Sequence, residues 1–259
     1  MLRLDWKPDG YTYPYVLKAC GELRSLICGE SVHGMILTSG LGSNVFVCNG
    51  LISVYGKCGL LGCARQVFDE MLVRGIADVI SWNSIVAAYV QKDEDKKVLE
   101  LFDSMVSLDC FELRPDAVSL VNVLPACGAS GAWRRGKQLH GCAIGCLHED
   151  VFVGNAIVDM YAKCKGLDDA NKVFELMGVK DVVSWNALVT GYSQIGRFDE
   201  ALGLFERMRE EENDLHVVTL SAVIWRYAQR DLDYEALNIF KEMRLSGAEP
   251  NVITLVSVL

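Results

Sequence analysis

Five polar side chains recur at one register of the chain. Asn49, Asn83, Asn155, Asn186 and Ser221 each lie 22 residues before a methionine, at Met71, Met105, Met177, Met208 and Met243. Three positions before each polar residue stands an apolar one: Phe46, Ile80, Phe152, Val183 and Val218. Residues three apart share a helix face, so an apolar surface and a hydrogen-bonding group would repeat along one exposed ridge. This pairing suits single-stranded nucleic acid. An unstacked base packs against the apolar side chain, while an amide, both donor and acceptor, bonds to its Watson–Crick edge. A single Asn would be better explained as a solvated helix residue; four at identical register favour base recognition.

Other chemistry is weaker. His140, Cys142, Cys146 and His148 lie close together and are of types that bind a soft metal. His140 is matched by His33 in an equivalent segment, but Cys142 and Cys146 have no counterparts there, so a structural role is preferred and no metal is expected. The ten cysteines form no C-x2-C pair; Cys20 and Cys127 recur inside VLxAC, and Cys58 and Cys164 inside YxKC. They are expected to be buried, reduced thiols rather than a disulfide framework. The sequence has no GxxxxGK[ST], no GxSxG, and no H-x-E followed by PCxxC. No catalytic residue, cofactor or small-molecule substrate is therefore expected, and the chain is not expected to be an enzyme.

The elements that must hold the five polar residues are repeats. In each segment a tyrosine follows the polar residue by six positions (Tyr55, Tyr89, Tyr161, Tyr192, Tyr227), and a phenylalanine precedes the methionine by three (Phe68, Phe102, Phe174, Phe205, Phe240). Within one segment the apolar period is helical twice. Trp185, Leu188, Val189 and Tyr192 form one stripe; after the breaker Gly196, Phe198, Ala201, Leu202, Phe205 and Met208 form another. Each unit is therefore a helical hairpin that buries its apolar face against its neighbours. Two further segments, from Tyr13 and from Leu120, are worded differently: both carry VLxAC and then Gly and His four apart, at Gly29 and His33 and at Gly136 and His140.

Cutting after the polar residue that ends each segment gives units 10–44, 45–78, 79–116, 117–150, 151–181, 182–216 and 217–251, with a partial unit at 252–259. The whole chain is expected to form one all-α array, a right-handed α-solenoid whose first helices line the inner surface. A composition of 51% hydrophobic residues suits many small hairpins sharing a continuous core. The uncharged stretch 117–133 contains Pro125 and polar residues and falls within a repeat, so no membrane span is expected. Residues 252–259, VITLVSVL, are an apolar half-hairpin and are expected to fray or aggregate.

This register resembles the pentatricopeptide-repeat family, in particular its plant subgroup with alternating long, short and standard motifs. The tetratricopeptide repeat fits less well: its period is strict and its motif is W-x2-L-G-x2-Y, whereas here Trp82 and Trp185 are followed directly by Asn and the unit length slides between 31 and 38 residues. The resemblance implies one RNA base per repeat, read by the fifth and last residues of a unit, with the second residue packing on the base. The implied reading pairs are Asn49 with Asp78, Asn83 with Asp116, Asn155 with Asp181, Asn186 with His216 and Ser221 with Asn251. Asn with Asp would favour uracil and Ser with Asn adenine. Pro14 and Val121, at the fifth residue of the VLxAC units, offer no hydrogen-bonding group and are assigned no base, and His216 leaves its unit with only a pyrimidine preference through Asn186. The resemblance also implies an organelle, mitochondrion or chloroplast, and a role in RNA editing or processing alongside partner factors.

Charge pulls the other way. With 25 Lys and Arg against 34 Asp and Glu the formal net charge is −9, whereas nucleic-acid binders usually present a basic surface. Lys57, Lys92, Lys163, Arg197 and Arg230, near the hairpin turns, are the candidates for a local basic stripe. The alternative function is a protein-interaction scaffold that binds an extended peptide in the groove. Met1 to Leu4 shows no Arg- and Ser-rich presequence, and the chain reads as part of a longer array.

Overall fold

A computed structural model describes residues 8–108, 113–143, 150–210, 217–229, 232–245, 247, 249–250 and 254–255. His216, Asn251, Arg230, Cys146, His148 and most of the 252–259 segment lie outside the described residues. The chain divides into two compact units, residues 1–126 and 127–259.

In the first unit the helices run α1 (Thr12–Glu22), α2 (Leu26–Thr38), α3 (Val45–Lys57), α4 (Leu61–Val73), α5 (Val79–Val90) and α6 (Asp95–Ser107). Helix α7 (Ala117–Ala129) carries the division between the units. The second unit continues with α8 (Trp133–Ala143), α9 (Val151–Lys163), α10 (Leu167–Leu176), α11 (Val182–Ile195), α12 (Phe198–Glu210), α13 (Val217–Ala228) and α14 (Asp233–Leu245). No strand occurs among the described residues. Within each compact unit odd-numbered helices pack on odd-numbered ones, α1 on α3 on α5 and α9 on α11 on α13, while α2, α4, α6, α10, α12 and α14 return against the helices before them.

The helix starts are written in the sequence. Asp78 and Asp181 accept from the N–H of Ser81 and Ser184, and those serines accept from the Asp N–H in return, closing capping boxes at α5 and α11. Asn44 and Asp150 cap α3 and α9 by accepting from Val47 and from Phe152 and Val153. Such caps satisfy N–H groups that the first turn cannot.

Between the units of the array the contacts are aromatic. Phe68 of α4 meets Trp82 of α5 edge-to-face at 4.7 Å between centroids, and Phe174 of α10 meets Trp185 of α11 in the same way at 4.7 Å. The odd helices also approach closely at small residues. A Cβ added to Gly56 would stand 2.6 Å from the Ala88 Cβ, and one on Gly191 would stand 2.8 Å from the Ala162 Cβ. The Gly and Ala exchange sides between the two crossings, so the volume at the contact is kept.

The cysteines depart from expectation. Among the described residues all are free, but only Cys20, Cys48 and Cys127 are buried; Cys28, Cys63 and Cys142 are exposed, and Cys58 and Cys164 are half-buried. The exposed three lie on the second helix of their hairpins, α2, α4 and α8. No group of three or more potential metal ligands occurs among the described residues, and the His140 ring is engaged with the Tyr161 hydroxyl at 3.0 Å. No helix is long and apolar enough to cross a membrane among the described residues.

Candidate nucleic-acid interface

Three of the five pairs proposed from the sequence lie side by side. The Nδ2 of Asn83 donates to Asp116 Oδ1 at 3.0 Å, that of Asn155 to Asp181 Oδ1 at 2.9 Å, and that of Asn49 to Asp78 Oδ1 at 3.3 Å. The fold accounts for this meeting of residues 26 to 33 apart in sequence. The Asp caps the next odd helix, and the Asn sits one turn into the preceding odd helix stacked against it. The described residues do not include His216 or Asn251, so the other two pairs are not described. Asn186 is half-buried, and Ser221 is buried with its Oγ 2.6 Å from Thr254 Oγ1.

The sequence placed apolar and polar residues together on an exposed ridge; the structure separates them. Phe46, Ile80, Phe152 and Val183 are 65%, 56%, 69% and 58% exposed, whereas Asn49, Asn83 and Asn155 are only 8%, 9% and 8% exposed. The reason is the stacking of odd helices: the second residue, in the first turn, is left uncovered, while the fifth is pinned in the seam by the next unit's Asp. Each amide is thus a recessed floor between exposed apolar walls. A cavity of about 460 Å³ shows this plainly, with Ile80 and Val118 on its walls, Asn83 and Asp116 among its lining, and Lys57 beside them. Tyr11 and Val118 are also exposed, at 82% and 55%, and occupy the same second position in the two VLxAC units, where the sequence reading named no packing residue. Val218 carries no described side-chain environment.

Sequence reasoning missed a third member of the cluster, the third residue of the next unit. Ser119 Oγ lies 2.7 Å from Asn83 Oδ1, and Ser184 Oγ lies 2.5 Å from Asn155 Oδ1. Both hydroxyls are buried and also accept from the backbone N–H of the capping Asp. The signal was available: Ser81, Ser119 and Ser184 each follow the segment-ending Asp by three residues.

Bond counting fixes what remains available. The Asp116 Oδ1 accepts from Ser119 N–H at 2.8 Å and from Asn83 Nδ2, so the single Ser119 proton is best spent on Asn83 Oδ1. Burial raises the Asp116 carboxyl, but hydrogen bonds led by the Ser119 N–H and the Asn83 amide outweigh it and hold the group below the usual carboxylate value. Asp181 is held down likewise: burial raises it, and hydrogen bonds led by the Ser184 N–H and the Asn155 amide prevail. Both are therefore carboxylates at neutral pH, and neither Oδ2 accepts a bond among the described residues. Each pair offers one amide N–H beside one carboxylate oxygen, a donor next to an acceptor.

The cations expected near the turns are mostly neutralised. Lys57 pairs with Glu22 at 2.5 Å, Lys163 with Asp159 at 2.8 Å, and Arg197 with Asp168 and Glu200 at 3.1 and 2.7 Å.

Comparison with known proteins gives the family. The sequence pattern of the PPR repeat matches residues 46–76, 80–110, 155–182, 183–212 and 218–247, more than half of the chain. The chain belongs to the pentatricopeptide-repeat family. A pentatricopeptide repeat-containing protein of Arabidopsis thaliana is 53% identical over 213 residues, which cover 82% of this chain and 24% of that protein. Two others from the same plant, one named chloroplastic and one mitochondrial, are each 38% identical, covering 80% and 81% of this chain and 25% and 32% of their own length. The chain thus spans about a quarter to a third of the length of these pentatricopeptide relatives. Among solved structures, the pentatricopeptide repeat protein PPR10 in complex with an 18-nucleotide psaJ RNA element is similar over 100% of this chain and 38% of its own, with a TM-score of 0.81 at 20% identity. A crystal structure of PPR10 from maize matches 97% of this chain and 36% of its own, with a TM-score of 0.66 at 21% identity. The likeness is one of fold, the all-α solenoid of stacked hairpins that the repeat period predicts.

Proposed function

We propose that this pentatricopeptide array is a sequence-selective adaptor for single-stranded RNA that reads one base per repeat. The observation that carries this reading is the recessed Asn–Asp floor between exposed apolar walls, seen in the cavity between Ile80 and Val118. A base slides between the walls, and its edge meets the amide N–H and the carboxylate oxygen. Uracil presents N3–H next to a carbonyl oxygen, and cytosine an amino group next to N3; either matches a donor beside an acceptor. Together with the family's reading pairs, this supports uracil opposite Asn49, Asn83 and Asn155, a pyrimidine opposite Asn186, and adenine opposite Ser221 and Asn251. In the 5′ to 3′ direction the units from Val45 onward then take U, U, any base, U, a pyrimidine and A. At the VLxAC unit between them, Val118 supplies packing without readout.

The adaptor performs no chemistry itself; it positions RNA for partner factors of editing or processing in a chloroplast or mitochondrion, in keeping with relatives named for those organelles. Because three of its five candidate cations, Lys57, Lys163 and Arg197, are paired with carboxylates, the affinity of this chain alone is modest and falls only gently with salt. The test is a swap at the most compact unit. Asn155→Ser with Asp181→Asn copies the Ser221 and Asn251 pair and should turn the preference at one nucleotide from uracil toward adenine, by several-fold in relative affinity, about one net hydrogen bond. An unchanged ratio in a folded double variant would refute base reading and favour a groove that binds an extended peptide.

A further inference from the structure

The third residue of a unit covaries within this chain with the fifth residue of the unit before it. After Asn49, Asn83, Asn155, Asn186 and Ser221 the third residues are Ser81, Ser119, Ser184, Thr219 and Thr254; after Pro14 and Val121 they are Val47 and Val153. A hydroxyl stands at all five junctions where the fifth residue can form a hydrogen bond, and a methyl-bearing side chain of similar shape at both where it cannot. The slot is the same throughout: Val47, Ser81, Ser119, Val153, Ser184 and Thr254 are all buried.

Helix capping does not demand the hydroxyl. Asn44 accepts from Val47 N–H at 3.2 Å and Asp150 from Val153 N–H at 3.2 Å, so the cap reaches the third-residue N–H with valine in place. Nor does packing demand it, since valine fills the slot. Burying a hydroxyl there instead costs free energy unless it is bonded. At three of the four described junctions its nearest partner is the fifth residue's side chain, at 2.7 Å for Asn83, 2.5 Å for Asn155 and 2.6 Å between Thr254 and Ser221, closer than the capping Asp at 2.9 Å from Ser119 and 3.0 Å from Ser184; at the fourth, Ser81 bonds Asp78 instead.

We infer that this buried hydroxyl, Ser119 for Asn83 and Ser184 for Asn155, is a positioning residue for base recognition: it holds the amide oxygen inward, so that the amide shows the base N–H alone. The inference rests on the RNA-reading function above. Without the hydroxyl the amide oxygen has no inward partner, and the side chain turns to offer oxygen or nitrogen as the base requires. The unit then still binds but discriminates poorly. Recognition is in this way set by three residues, with the third contributed across the repeat boundary and never touching the base.

The experiment uses the full 259-residue chain and a set of oligoribonucleotides with the six-base register U, U, U, U, U, A, varied to U, C, A or G only at the fourth position, opposite Asn155 and Asp181. Ser184→Val, which copies Val153, should reduce the preference for uracil over adenine about five-fold, the worth of one net hydrogen bond, while Ser184→Thr restores it. In the free protein the Asn155 side-chain NH2, followed by hydrogen exchange in NMR spectra, should exchange faster in Ser184→Val and remain protected in Ser184→Thr. A role in stability alone would lower the unfolding temperature and weaken all four oligonucleotides equally. That result, or an unchanged preference with an unchanged Asn155 exchange rate, overturns the proposal and leaves the RNA reading standing. A wild-type chain that shows no preference at the fourth nucleotide overturns both.

Discussion

The junctions at residues 44/45 and 78/79 lie in the same compact unit and have the same backbone plan, yet their contents are exchanged. At the first, Asn44 caps α3, Val47 fills the slot, Pro14 stands at the fifth position, and the ring contact is His33 with Tyr55, bonded at 2.7 Å. At the second, Asp78 caps α5, Ser81 fills the slot, Asn49 stands at the fifth position, and the ring contact is Phe68 with Trp82. The second compact unit repeats both wordings, His140 with Tyr161 beside Val153, and Phe174 with Trp185 beside Ser184. Hairpins therefore stack equally well with an apolar seam. The amide, carboxylate and hydroxyl at the other junctions are not required for stacking, and this is the strongest physical reason to read them as recognition groups.

The largest effect should come from the aromatic half of the comparison. Trp82 and Trp185 are almost wholly buried, so Trp185→Ala opens a cavity and should cost roughly 3–5 kcal/mol. Tyr161→Phe at the other junction type removes only a hydroxyl bond to His140 and should cost about 1 kcal/mol. Hydrogen exchange along α11 and α9 reads each loss locally, which suits an array whose stability is a sum over neighbours. Equal costs would show that the two ring contacts are not different kinds of joint.

Next is the cap. Asp150→Ala and Asp181→Ala each remove a helix cap, worth about 1 kcal/mol, and should lower the unfolding temperature by similar amounts. Only Asp181→Ala should also abolish uracil preference at the nucleotide it faces. A sharper version compares the proposed reading junctions with one another. At Asn83 and Asn155 the amide oxygen is held by a serine, whereas at Asn49 it has no partner, and Ser81 bonds to Asp78 at 2.7 Å instead. Base discrimination opposite Asn49 should therefore be weaker than opposite Asn155, and competition binding with single-base changes at the two positions would measure the gap.

Much of this was legible without coordinates. The 22-residue spacing and the double helical period located the hairpins, because a solenoid repeats its packing residues at fixed register. The partnership of Asn83 with Asp116 came from the family pattern, and the structure brings the two side chains together. What composition and period could not supply was depth. A helical wheel places Phe152 and Asn155 on one face, but only the stacked neighbour shows that one projects while the other is recessed. The serine was overlooked for the same reason: Ser184 reads as a helix cap within its own unit, and its second bond crosses to another. Exposure of Cys28, Cys63 and Cys142 was likewise hidden, since repeat position alone does not say which face of a second helix is left uncovered.

The two junction types should also titrate in different ranges. Burial lowers the pKa of His33, partly offset by Glu70, and that of His140, offset by Asp169 and reinforced by Lys137. A depressed histidine is harder to protonate folded than unfolded. Its contribution is complete above the unfolded value of about 6.5 and is lost as pH falls below it. Asp116 and Asp181, also depressed, keep their contribution above about 3.9 and lose it only in more acid solution. Unfolding temperature should thus fall first between pH 7 and 5 and again below 4. His33→Asn with His140→Asn should flatten the first step and leave the second.

The smallest effect belongs to the hairpin turns, where the comparison predicts no difference. A residue one to three positions past the end of the first helix takes a positive φ in both kinds of hairpin: Arg24 at 48°, Gly59 at 82°, Asp93 at 56°, Lys165 at 64° and Gly196 at 82°. A side chain in this left-handed region costs roughly 1–2 kcal/mol, while glycine gives back about half of that gain in unfolded-state entropy. Asp93→Gly should therefore stabilise the chain slightly, by about 0.5 kcal/mol, and Arg24→Gly by a similar amount, although Arg24 belongs to a VLxAC hairpin and Asp93 to a reading one. Neither should alter base preference, because the turn lies at the far end of the helix from the Asn and Asp. Thermal unfolding and the oligonucleotide competition, run on the same two variants, check both halves. If Asp93→Gly changes discrimination opposite Asn83, the reading site extends along the whole of α5, and the division between a recognition seam and a neutral turn fails.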